Sequence, residues 1–192
     1  MAFVACSETD NTPSTANERS AQMTNVHVGG DGIVLALVDT GSYASFVEED
    51  WAQDGSLVSH LVEQMNALSL LAWGTGFETD WKVEFRQGVT DLKGFRNFGG
   101  ILRSTTGKLH LVNYDSLTMA ARFPDYVLPD QETQRYAIDF PVGTYRFHIV
   151  QMPDPNSDGW WEEYEDKPEF IIEWESVERG SNGFGEVPWF KL

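Results

Sequence analysis

Twelve residues near the C-terminal end, DPNSDGWWEEYE from Asp154 to Glu165, carry the oxygen ligands of a calcium loop at the expected spacing. In that pattern Asp154, Asn156 and Asp158 stand at positions 1, 3 and 5, Gly159 supplies the sharp turn at 6, and Glu165 is the bidentate carboxylate at 12. An EF-hand needs a helix on each side of the loop. Here the preceding YRFHIVQMP alternates like a strand, and Pro153, Pro155 and Pro168 oppose flanking helices. The same residues also read as a solvated acidic turn beyond a strand, so calcium stands as one reading and no cofactor as the other.

A second chemical signature lies in LALVDTGSY. Asp39-Thr40-Gly41-Ser42 follows an apolar strand and resembles the active-site element of aspartic proteases. There two aspartates share a proton, because carboxylates about 3 Å apart cannot both ionise. With one such element, catalysis by Asp39 requires a retropepsin-like homodimer. The alternative is that Asp39-Thr40-Gly41 is ordinary punctuation between a strand and a turn. The histidines at 27, 60, 110 and 148 form no zinc spacing, although His110 and His148 occupy alternating strand positions where they would meet on one sheet face. GFRNFGG, residues 94–100, is glycine-rich without the spacing of a phosphate loop.

Composition narrows the partners. The 192 residues carry a net charge of −17, with nine acidic and no basic residues from His27 to Asp80, and eleven acidic against three basic from Phe147 to Leu192. Such a surface repels phosphate backbones, which excludes nucleic acid, and it attracts cations and basic proteins. No run approaches the roughly 18 apolar residues of a membrane span. The one cysteine, Cys6, forms no internal disulfide and suits the cytoplasm; FVAC before a polar tether gives the alternative of a lipid anchor through Cys6.

The elements that must position these groups are mostly strands. Residues 1–26 are polar and aperiodic and read as a disordered tail. Residues 27–192 read as a single β-rich domain. GIVLALVD is a continuous apolar run suited to a strand buried on both faces. Trp81, Val83 and Phe85 alternate with polar residues, as do Tyr136, Ile138 and Phe140, then Tyr145, Phe147 and Ile149 across Pro141-Val142-Gly143, which predicts a hairpin. KLHLVNY and EFIIEW add two more. In SLVSHLVEQMNAL the apolar residues recur at helical spacing, with Asp54 or Ser56 as N-cap, and a shorter helix is predicted after Asp115. The fold class is mainly β: an antiparallel β-sandwich with one or two helices, its core built on Trp81, Phe85, Ile138, Phe147, Ile172 and Trp174.

Among the seven tryptophans, Trp160 and Trp161 are adjacent and lie amid carboxylates. On an extended chain they face opposite sides, so one of them meets solvent, either as a lid on the sheet edge or as a binding anchor.

The stretch AIDFPVGTYRFHIVQMP, residues 137–153, resembles the hairpin of the small acidic inhibitors that accompany competence nucleases and, more loosely, bacterial immunity proteins. Phe140, Pro141, Gly143 and Tyr145 carry the likeness. The resemblance implies a β-sandwich that inhibits a basic nuclease or toxin through an acidic surface, and it carries over no catalytic residue. The leading functional reading is therefore an acidic, non-enzymatic interaction protein with a basic protein as partner. It would bind through Trp160, Trp161, Glu162, Glu163, Glu165 and Asp166. A calcium-dependent or carbohydrate-binding module and the Asp39 protease are the alternatives.

Overall fold

The computed structural model describes residues 24–29, 32–49 and 56–190. Among the described residues nine strands form two sheets. The first has the order β1 (Thr24–Val28), β4 (Trp81–Gln87), β9 (Phe170–Val177), β8 (Gly143–Gln151), β5 (Arg96–Ser104). The second has the order β3 (Leu70–Gly74), β2 (Val34–Val38), β6 (Lys108–Asn113), β7 (Ala137–Asp139). β1 takes in Thr24, Asn25 and Val26, the last three residues of the stretch read as tail; residues 1–23 lie outside the described ones.

The two sheets share one core. Trp73 of β3 meets Phe98 of β5 at 6.3 Å and Phe170 of β9 at 6.0 Å between ring centroids. Phe140, just beyond β7, packs on Phe85, Tyr145, Phe147 and Trp174, the last at 4.9 Å. All six residues expected in the core belong to it, Trp174 as a partly buried member of its margin. The helix α1 (Ser56–Asn66) packs on β3 and α2 (Tyr114–Arg122) on β2 and β6. With α2 packed against it, β2 is buried at every position, which is the physical reason for its unbroken apolar run. α1 buries Leu57, Leu61 and Met65; the N-cap candidate Asp54 lies outside the described residues. α2 is capped by Asn113, whose side chain accepts the Ser116 N–H at 3.0 Å.

Two features depart from the pattern read in the sequence. Every strand pair is antiparallel except β4 and β9, which run parallel. And β7 and β8 are not a hairpin: β7 pairs with β6 in the second sheet, whereas β8 lies between β5 and β9 in the first. Pro141 and Val142 carry the chain from one sheet to the other. The corner is fixed by the Tyr145 hydroxyl, which donates to the Pro141 carbonyl at 2.7 Å, and by Ser104 Oγ, which donates to the Phe140 carbonyl at 2.8 Å. Alternation alone reports that two strands each bury one face; it is silent on whether they bury it in the same sheet.

The edge strands β3 and β5 meet at one seam, where Gly100 leaves space that a Cβ would fill at 2.5 Å from the Leu71 side chain. A C-terminal strap, residues 180–190, closes this seam. Asn182 accepts the Ile101 N–H and donates to the Ile101 and Met65 carbonyls, Asn66 exchanges two bonds with the Phe184 backbone, and the Gly74 N–H donates to the Pro188 carbonyl at 2.8 Å. Both exposed strand edges are thereby capped against pairing with another chain.

Candidate interaction surface

The loop from β8 to β9 is built as a turn followed by one turn of helix. Asp154 accepts the Asn156 N–H at 2.9 Å on Oδ1, and its carbonyl accepts the Ser157 N–H and hydroxyl. This is an Asx turn, the role a short carboxylate fills most readily in a loop. Gly159 then adopts φ 76°, a left-handed conformation that favours glycine, and its carbonyl accepts the Glu162 and Glu163 N–H groups of the short helix α3 (Trp160–Glu163).

The adjacent tryptophans divide in function because this segment is helical rather than extended. Trp160 is 6% exposed and stacks on Trp81 with centroids 5.5 Å apart and planes 12° from parallel. It is a core residue, not the solvent-facing anchor. Trp161 is 57% exposed and meets Trp160 edge-on at 6.3 Å. Glu162, Glu163, Glu165 and Asp166 follow it in the chain and are all exposed, as is Asp158. The other end of α3 is held by Lys82, whose ammonium donates to the Tyr164 carbonyl at 2.6 Å and to the Glu165 carbonyl, and pairs with Glu169 at 3.3 Å. A cation at a helix C-terminus satisfies the carbonyls that have no helical partner. Trp160 and Lys82 together fix the loop, so Trp161 and its carboxylates ride on a rigid base.

The carboxylates of the calcium pattern are not gathered in this structure. Among the described residues no three His, Cys, Asp or Glu side chains gather in an arrangement able to hold a metal ion. Asp154, Asp158 and Glu165 thus do not converge, and Asp154 spends Oδ1 on Asn156. The spacing of the pattern is met, but it produces a cage only between helices that fold the loop back on itself.

Asp39 likewise is not an open group in this structure. Asp39 is fully buried. Its Oδ2 accepts the Ser42 and Thr105 hydroxyls at 2.7 and 2.6 Å, Oδ1 accepts the Thr105 N–H at 3.2 Å, and its carbonyl accepts the Ser42 and Tyr43 N–H groups. A carboxylate closed in this way ties the end of β2 to the turn between β5 and β6. His110 and His148 do not meet either: one lies in the second sheet and the other in the first.

One polar network was not expected. His148 Nδ1 lies 2.9 Å from Glu173 Oε2, and Glu173, 2% exposed, also accepts the Thr90 N–H and hydroxyl. Burial pushes the Glu173 carboxyl upward, but the bonds from His148 and Thr90 outweigh it and hold it below its usual range. The network pins the connection between β4 and β5 to the outer face of the first sheet. In sequence the three residues are widely separated, and only the β8–β9 register brings His148 opposite Glu173.

Comparison with known proteins bears on the fold. No family model matches the chain, and no curated protein matches it. A solved structure described as crocagin biosynthetic gene J aligns over 83% of this chain and 99% of its own, with a TM-score of 0.52 and 12% identity. ComJ from Bacillus subtilis, described as an inhibitor of the DNA-degrading activity of NucA, aligns over 82% of this chain and 99% of its own, with a TM-score of 0.48 and 13% identity. The likeness to the crocagin structure, at 12% identity, speaks for architecture alone. No helix among the described residues is long and apolar enough to cross a membrane.

Proposed function

We propose that this chain is an acidic, non-enzymatic interaction protein that binds a basic protein, of the kind represented by a nuclease or toxin, and inhibits it. The observation that supports this most is Trp161, a large aromatic held 57% exposed on a turn whose next residues include four exposed carboxylates, in a chain of net charge −17. Exposed aromatics of this kind become the desolvated centre of protein interfaces, whereas surrounding charges steer the encounter and set its salt dependence. Glu162, Glu163, Glu165 and Asp166 are the steering groups. The one cysteine is in keeping with action in the cytoplasm.

The test is co-purification of basic proteins from the source cell on immobilised parent chain and on a Glu162→Lys, Glu163→Lys variant, followed by association rates from low to high salt. A partner that associates more slowly with the variant, and more slowly as salt rises past the roughly 8 Å screening length of physiological buffer, supports the reading. A partner bound at the same rate by both chains at every salt concentration overturns it.

A further inference from the structure

Trp161 is not the only exposed ring against Trp160. Phe77, in the connection between β3 and β4, is 48% exposed and meets Trp160 edge-on at 6.2 Å with planes at 81°. Trp160 is therefore flanked by two exposed aromatics from different parts of the chain, at 6.2 and 6.3 Å. Phe77 is held by its own backbone, since its carbonyl accepts the Thr75 hydroxyl at 2.8 Å, and Gly76 at φ 82° lies against Pro155 of the opposite loop. Two exposed aromatics that both rest edge-on against one buried tryptophan form an open apolar platform.

The two segments that carry these rings hold charge of one sign. Residues 76–80 and 154–166 contain eight Asp or Glu and no Lys or Arg. Glu78 and Asp80 are exposed beside Phe77 as Glu162 and Glu163 are beside Trp161. The nearest cations are engaged: Lys82 on the carbonyls at the end of α3, Lys167 with Glu163 at 3.7 Å and over the Tyr164 ring, and Arg96 with Gln151 and the Gly74 carbonyl.

Resting on the acidic-interface reading above, we propose that Phe77 and Trp161 form a two-ring platform for arginine side chains of the basic partner, and that this surface prefers arginine to lysine. A guanidinium is planar and weakly hydrated, so it stacks on an aromatic face while its N–H fork engages a neighbouring carboxylate. A lysine ammonium is a compact, strongly hydrated charge and gains mainly from the carboxylates. Aromatics and carboxylates side by side thus discriminate between two cations that an acidic patch alone treats alike.

The probes are fluorescently labelled nona-arginine and nona-lysine peptides, titrated by anisotropy against the full chain and against Phe77→Ala, Trp161→Ala and Glu162→Lys, Glu163→Lys variants, with melting curves for each. The parent is expected to bind nona-arginine about fivefold more tightly than nona-lysine, the scale of a stacked cation at an exposed site. Phe77→Ala and Trp161→Ala, melting like the parent, should each reduce that preference while nona-lysine binding stays put. Equal affinities for the two peptides, both weakened by the charge reversal, would overturn the platform and leave the acidic interface standing. Binding of neither peptide would remove both. A preference that survives both aromatic variants would overturn the platform as its source.

Discussion

Trp160 lies flat on Trp81, 5.5 Å away, while Trp161, the next residue, stands in solvent. In a helix each residue is rotated by about 100° from the one before it, so a single aromatic pair supplies both a root and an exposed tip. Trp160→Ala is expected to cost about 3–5 kcal/mol, because it empties a stacked site in the core. Trp161→Ala should change stability by less than about 0.5 kcal/mol, as surface replacements usually do. Urea unfolding of the two variants checks this; similar losses at both positions would refute the division.

Asp39 is expected to behave as a structural residue. Asp39→Ala leaves the Ser42 and Thr105 hydroxyls and the Thr105 N–H without their acceptor in a buried turn. The loss should be about 1–3 kcal/mol, read as a lowered melting temperature. An Asp39→Ala chain that melts with the parent would return the residue to the list of functional candidates.

Acid should act on the loop at Asp130. Burial raises this carboxyl, but the Thr133 N–H and the hydroxyls of Tyr126, Thr133 and Ser116 outweigh it and bring the pKa to about 2. The value in an unfolded chain is about 3.9. Because the folded value is the lower one, the carboxylate's contribution is complete above about pH 4 to 5 and is lost as the pH falls through 2. Asp130→Asn should therefore be less stable than the parent by about 1–2 kcal/mol at pH 7, and the gap should close between pH 4 and 2. Denaturant unfolding at both pH values measures it; a gap independent of pH would contradict the assignment.

The strap should protect the β5 edge. Asn182→Ala removes three hydrogen bonds, at 2.8, 2.8 and 2.7 Å, from the Ile101 and Met65 backbone. Hydrogen exchange at the Ile101 amide is expected to accelerate markedly, with a global loss of about 1–3 kcal/mol. Unchanged exchange at Ile101 would show that the strap does not secure the edge.

Much of this architecture was legible in the sequence wherever the pattern depends on local neighbours. GIVLALVD announced a strand buried on both faces, and the 3.6-residue spacing of Leu57, Leu61 and Met65 announced α1. The alternation of Trp81, Val83 and Phe85 gave β4 its buried face. What stayed hidden depends on distant partners. Nothing near Pro141 distinguishes a hairpin from a change of sheet, because the deciding bonds come from Ser104 and Gly107. β5 was obscured by its glycines, although Gly100 is there to admit Leu71. For the surface, composition marked the carboxylates and Trp161, but Phe77 looked like any loop residue until the β3–β4 connection was seen beside Trp160.

The parallel pairing of β4 with β9 has a consequence for the order of assembly. Lys82 and Glu169 bond across a separation of 87 residues, so β4 is made long before the strand that completes its sheet. Closing so long a loop precedes any reward from the contact, which slows folding and leaves β4 with a vacant edge on the nascent chain. The same closure brings Lys82 to α3 and seats Trp160 on Trp81. A chain released before β9 therefore lacks the base on which Trp161 stands, and the acidic surface takes shape only when synthesis is nearly finished.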